Sequence, residues 1–126
     1  MKSFLLLLAA AGFPATAHHS FAAEFDADKP FSVKGAITKM DWVNPHSWIY
    51  VDVKNQDGTT TNWRFEMGPP NALLRMGWRK DSIPAGTQVE ITGYRGKNGE
   101  PVGNAKTVKL PDGRELFLGG SAPGGN

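Results

Sequence analysis

The chain holds three histidines, His18, His19 and His46, and their places define the chemistry it could perform. His18 follows Ala15-Thr16-Ala17, a small-x-small sequence of the kind a signal peptidase cuts. Cleavage after Ala17 leaves His18 with a free α-amine beside its imidazole. That amine and Nδ1 of the same residue close a six-membered ring on one metal ion. A nitrogen from another histidine completes a three-nitrogen, T-shaped site, a histidine brace. Nitrogen donors in a tetragonal set favour Cu(II) among the first-row ions. The amine, with an ordinary pKa of about 8, and the imidazoles must be neutral to bind, so affinity falls in acid.

His46 is the expected third ligand, because it follows Pro45 at a turn entering a strand and its backbone is held stiffly. His19 competes for that place, since an amine followed by a histidine at the second position also binds copper. Glu24, Asp26, Asp28 and Asp41 are the carboxylates available for an axial position, and the spacing singles out none of them. Met40, Met67 and Met76 offer soft sulfur, but they fall in strand and helix patterns where methionine fills gaps. The simpler reading makes the His18-His19 pair an accident of polar sequence and has His46 capping its turn or packing on Trp48.

A second set of residues points to a different chemistry. Trp48 and Tyr50 alternate with Ile49 and Val51, so the two aromatics share the strand face opposite the aliphatic one. With the aliphatic face in the core, Trp48 and Tyr50 lie outside as a ligand face that stacks on bases or sugar rings. Arg64 and Arg95 are candidate helpers. The competing expectation is that the N-terminal arm, with Phe21 and Phe25, covers this face, because soluble proteins seldom leave such a patch bare.

The elements that must position these residues follow from the rest of the chain. Residues 1–17 carry Lys2, an apolar run and the Ala15-Thr16-Ala17 site, the three parts of a secretory signal. The apolar run is far shorter than the roughly 20 residues of a membrane span. The mature chain is therefore expected to be periplasmic or secreted, with no transmembrane segment. Residues 18–30 read as a polar N-terminal arm, 31–118 as one domain and the Gly/Pro/Ser-rich stretch 119–126 as a disordered tail. With 126 residues, one domain is the expectation. The chain has 14 Lys+Arg against 12 Asp+Glu and no basic cluster, which argues against nucleic acid as a partner. It has no cysteine, which excludes disulfides, thiolate metal sites and a cysteine nucleophile.

Within 31–118 the period is that of strands. Phe31, Val33 and Ile37 alternate around Gly35, and the phase then shifts to Met40 and Trp42, the mark of a β-bulge. A strand over 47–53 turns through Asn55-Gln56-Asp57-Gly58 into a strand over 60–67 with Trp63, Phe65 and Met67 inward. Gly68-Pro69-Pro70-Asn71 breaks the sheet, with Asn71 as a helix N-cap for a short helix over 72–78. Strands follow over 88–95, 104–110 and 114–117. Three strands, a short helix and two or three strands predict an all-β fold: a small closed OB-like Greek-key barrel of five to six strands. A β-sandwich is the competitor.

Three stretches, His18-His19-Ser20-Phe21, Asn44-Pro45-His46-Ser47-Trp48-Ile49-Tyr50 and Leu110-Pro111-Asp112-Gly113-Arg114, carry a family likeness. They resemble the signatures of a family of bacterial secreted proteins that carry a domain of unknown function, and Phe65-Glu66-Met67-Gly68 and Gly77-Trp78 fit it as well. The resemblance runs through nearly all of the mature chain. It implies an exported OB-like barrel and brings no activity with it.

Enzyme signatures are absent: there is no G-x-S-x-G elbow, no phosphate-binding glycine loop and no H-E-x-x-H. The expectation is an exported small binding protein with copper as its candidate cofactor. The alternative is a metal-free ligand- or protein-binding barrel that uses Trp48 and Tyr50. A copper-dependent oxidoreductase would need redox turnover in addition. The partner expected is a small ligand or a periplasmic protein.

Overall fold

In the computed structural model residues 20–122 are described. The elements are α1 (Ser20–Glu24), β1 (Phe25–Asp41), β2 (Trp48–Lys54), β3 (Thr60–Glu66), α2 (Pro70–Arg75), β4 (Gln88–Gly96), β5 (Val102–Lys109) and β6 (Glu115–Phe117). The strands are ordered β3-β2-β1-β4-β5-β6, and β3 also pairs with β5 in parallel. That pairing closes five strands into a barrel and leaves β6 as an extra strand on β5. Closure decides for the OB-like barrel over the sandwich, and it removes the exposed edges an open sheet of this size would carry.

One strand serves both halves of the barrel. β1 pairs with β4 over Pro30–Ala36 and with β2 over Ala36–Asp41. The register slips between Ile37 and Lys39, where the phase of the apolar residues also slips. A bulge bends and twists a strand, which is what one strand shared by two sheet halves needs. At the bend Gly35 lies directly against β2, so close that a Cβ there would collide with the Asp52 carbonyl oxygen, a backbone atom. Gly35→Ala is therefore expected to cost about 1–3 kcal/mol of stability by overpacking. Urea unfolding would read this as a lower midpoint at unchanged slope. An unchanged midpoint would mean that β1 does not bend onto β2 this closely.

The core is built from the faces that alternation assigns inward. Ile49, Val51, Phe65, Met67, Ile91 and Val108 are fully buried. Leu73 of α2 and Trp78 pack into the same core, and Trp78 Nε1 donates to the Phe117 carbonyl at 2.9 Å. Three local expectations need correction. β1 begins at Phe25 rather than Phe31; its first residues lack alternation because pairing with β4 is interrupted between Phe25 and Pro30. A further short helix, α1, precedes it. α2 starts at Pro70 after Pro69, so Asn71 sits inside its first turn and caps nothing with its side chain. Proline is preorganised for the first helical position and took the start from Asn71.

Candidate functional site

His46 enters the fold at the mouth of β2. Its neighbour Ser47 holds the end of β3, with Ser47 N donating to the Gly68 carbonyl at 3.1 Å and Met67 N donating to the Ser47 carbonyl at 2.8 Å. The imidazole therefore turns onto the last residues of β3. Nδ1 lies 3.2 Å from the Met67 carbonyl oxygen and 3.6 Å from Oε1 of Glu66. A carbonyl only accepts, so the bond to Met67 requires the proton on Nδ1. Nε2, on the far side of the ring, is then the basic nitrogen. The side chain is 32% exposed.

Glu66 is the residue that sequence reasoning missed. Alternation sets it on the outer face with Arg64, yet it is only 7% exposed. Strand pairing explains this. Tyr94 of β4 faces Asn104 of β5, Asn104 faces Glu66 of β3, and Glu66 faces Trp48 of β2. Directly paired residues share a face, so these four form one row across the outside of the barrel. Chain from both ends lies over the row. Phe21 of α1 packs edge-on against Tyr94, with ring centroids 5.6 Å apart. From the stretch after Gly119, Ser121 Oγ accepts a bond from Asn104 Nδ2 at 3.0 Å.

Burial pushes the Glu66 carboxyl above its ordinary range. The charge His46 can carry pulls the other way, the Glu24 carboxylate pushes further up, and the Ser121 hydroxyl holds it down. The folded chain thus keeps this proton to higher pH than the unfolded chain does. Glu66 contributes its full stability below the unfolded pKa, and that contribution is lost as pH rises through the folded one. Glu66→Gln should therefore raise the thermal midpoint near neutral pH and leave it unchanged near pH 4, close to the ordinary glutamate value of about 4.3. Melting curves of both forms across that range would check it. A gap that does not change with pH would sink it.

The other expected site residues are distributed as follows. His18 and His19 lie outside the described residues. Asp26 pairs with Lys29 at 3.9 Å and Asp41 with Lys39 at 3.4 Å, whereas the charge of Glu24 reaches Glu66. Among the described residues no three histidine, cysteine or carboxylate side chains gather around one point. Met67 is buried in the core and Met76 is exposed beyond α2. Trp48 and Tyr50 are half-buried on the outer face, each beside a cation: Arg64 Cζ lies 5.2 Å from the Trp48 ring centroid and Lys39 Nζ 4.4 Å from that of Tyr50. Phe21 and Phe25 pack on each other and Phe21 on Tyr94, and Phe25 lines the same cavity as Trp48. Among the described residues no helix is long and apolar enough to cross a membrane.

Residues 6–105 match a family described as one of unknown function, DUF6152. The chain belongs to that family. The match spans the His46 turn, the Glu66 strand and the Trp48–Arg64 face of this DUF6152 protein. No curated protein and no solved structure matches the chain.

Proposed function

We propose that this DUF6152 protein is an exported metal-binding protein that takes copper as Cu(II) through nitrogen ligands. His46 Nε2 is one ligand, and the amine and Nδ1 of His18, freed by cleavage after Ala17, are the others. His19 is the competitor of His46 for the third place. The observation that carries this reading is the setting of His46. Its Nδ1 proton is taken by the Met67 carbonyl beside the Glu66 carboxylate, and Nε2 points away. Metal-bound histidines are oriented in this way, with the second nitrogen bonded to a carbonyl or carboxylate that fixes the ring and raises its basicity.

The position of the arm supports it. α1 starts at Ser20, the residue after His19, and Phe21 anchors it to Tyr94 in the row that contains Glu66. At about 1.5 Å per helical residue, α1 is little more than one turn long, and Glu24 at its far end is felt electrostatically by Glu66. Coordination alone requires no reaction, so binding or handling copper is the function proposed, in the periplasm or outside the cell.

The test is intact-mass spectrometry of the exported protein followed by Cu(II) titration of the same sample. A mass that begins at His18, with tight one-to-one binding, is the expected result. A different first residue, or binding no tighter than that of a control peptide, would overturn the brace.

A further inference from the structure

The outer face of β2 and β3 carries a groove that the metal reading does not use. Two cavities, of about 410 Å³ and about 230 Å³, adjoin at Arg64, Glu100 and Val102, which line both. Trp48 walls the larger and Tyr50 the smaller. Lys39 covers one face of Tyr50 but is no part of the cavity wall, so the tyrosine still presents surface to the groove. The far wall of the groove is the turn from β4 to β5, which supplies Lys97 and Glu100, and Glu24 of α1 closes its end. The larger cavity falls within the range of about 300–1,000 Å³ usual for small-molecule sites.

Arg64 stands in the middle. It is the strand partner of Tyr50, and its guanidinium lies 5.2 Å from the Trp48 ring centroid. Among the described residues it makes no ion pair, although it faces the shared stretch of both cavities. A planar guanidinium laid over an indole ring, with Tyr50 on the paired strand, offers a forked grip for a carboxylate beside a flat apolar surface. Pyranose rings have flat C–H faces that suit such surfaces, and the carboxylates of Glu24 and Glu100 can accept from hydroxyl groups.

In OB barrels the face of strands 2 and 3, flanked by the loop between strands 4 and 5, seats oligosaccharides and oligonucleotides. Charge separates these two. Arg64 and Lys97 face Glu24 and Glu100, so the groove is close to neutral. A polyphosphate backbone needs a clear excess of positive charge. We infer that this groove binds a short chain of pyranose sugars that carries a single carboxylate, with that carboxylate on Arg64, the one cation among the lining charges left to match it, and a neutral ring beside Tyr50. This site is separate from the proposed metal site and needs no metal.

Calorimetric titration of the full exported protein, with EDTA present throughout, tests it. The probes are a trisaccharide of one galacturonate and two neutral pyranoses, its methyl ester and a short oligothymidylate. The free acid is expected to bind and the other two to bind at least about tenfold more weakly, since a hydrogen bond between charged groups contributes about 1.5–3 kcal/mol. Arg64→Gln, on an exposed side chain, should remove the preference for acid over ester, and Trp48→Ala should weaken both. Equal binding of acid and ester, binding of the oligothymidylate in preference, or no binding of any probe would overturn the inference. So would an Arg64→Gln protein of unchanged melting temperature that still prefers the acid. With EDTA holding metal away, none of these outcomes bears on copper binding, and failure of the copper titration leaves this groove untouched.

Discussion

His46→Ala is expected to weaken one-to-one Cu(II) binding by more than about a hundredfold, and Glu66→Gln by about ten- to a hundredfold, the usual cost of losing an outer-shell partner. The order of the two effects is the informative part. His46 Nε2 is the ligand in the proposed site, and its loss removes a metal bond outright. Glu66 lies 3.6 Å from the opposite nitrogen and acts through the ring. Its replacement leaves the Met67 carbonyl to hold the Nδ1 proton, at 3.2 Å, but removes the nearby carboxylate. Competition against a chelator of known affinity would measure both. Equal binding by all three proteins would place copper on the His18-His19 stretch alone and exclude His46.

Phe65→Ala should have the largest effect on stability, a loss of about 3–5 kcal/mol. Phe65 is fully buried, and its ring centroid lies 5.9 Å from those of both Phe31 and Trp63. It also rests on bare backbone: a Cβ at Gly103 would approach Phe65 Cε1 to 2.7 Å. The ring thus ties β1, β3 and β5 together at the parallel pairing that closes the barrel. Neighbouring atoms have little freedom to fill the space it would leave. Domains of this kind are stable by only about 5–15 kcal/mol, so the variant would be close to unfolding at physiological temperature. Urea unfolding measures this, and a loss below about 1 kcal/mol would be the value expected of a surface residue. Phe65 lies between Arg64 and Glu66 in sequence, so the same loss would loosen both the groove and the His46 setting.

Much of the barrel could be read in the chain. Alternation sent Ile49 and Val51 inward and Trp48 and Tyr50 outward, and the structure places them so. The turn at residues 55–58, the break at Gly68-Pro69-Pro70 and the phase slip after Ile37 all mark real boundaries. Each signal is local. A strand's period reports which face a side chain takes, and a turn residue reports where the chain can reverse. The start of β1 was not legible, because residues 26–29 lie where its pairing with β4 is interrupted, and unpaired backbone imposes no alternation. The helix start was misplaced because two N-terminal signals, Asn71 and Pro70, compete within two residues.

The candidate site was legible only in part. His46 stood out by type and position, and Trp48 by the face of its strand. Glu66 did not, because on sequence alone it is one more outward charge beside Arg64. Its burial comes from strand neighbours and covering segments far away in the chain: Asn104, Ser121 and α1. The amino-acid sequence by itself determined the all-β class, the inward and outward faces and the residue types available for coordination and stacking. Tertiary structure alone decided that β3 closes on β5, that Glu66 is buried beside His46, and that Arg64 lies over Trp48 and lines the cavities of both Trp48 and Tyr50. The physical reason is that periodicity fixes the direction of a side chain from its own backbone, whereas its neighbours are fixed by register with strands that the local sequence does not name.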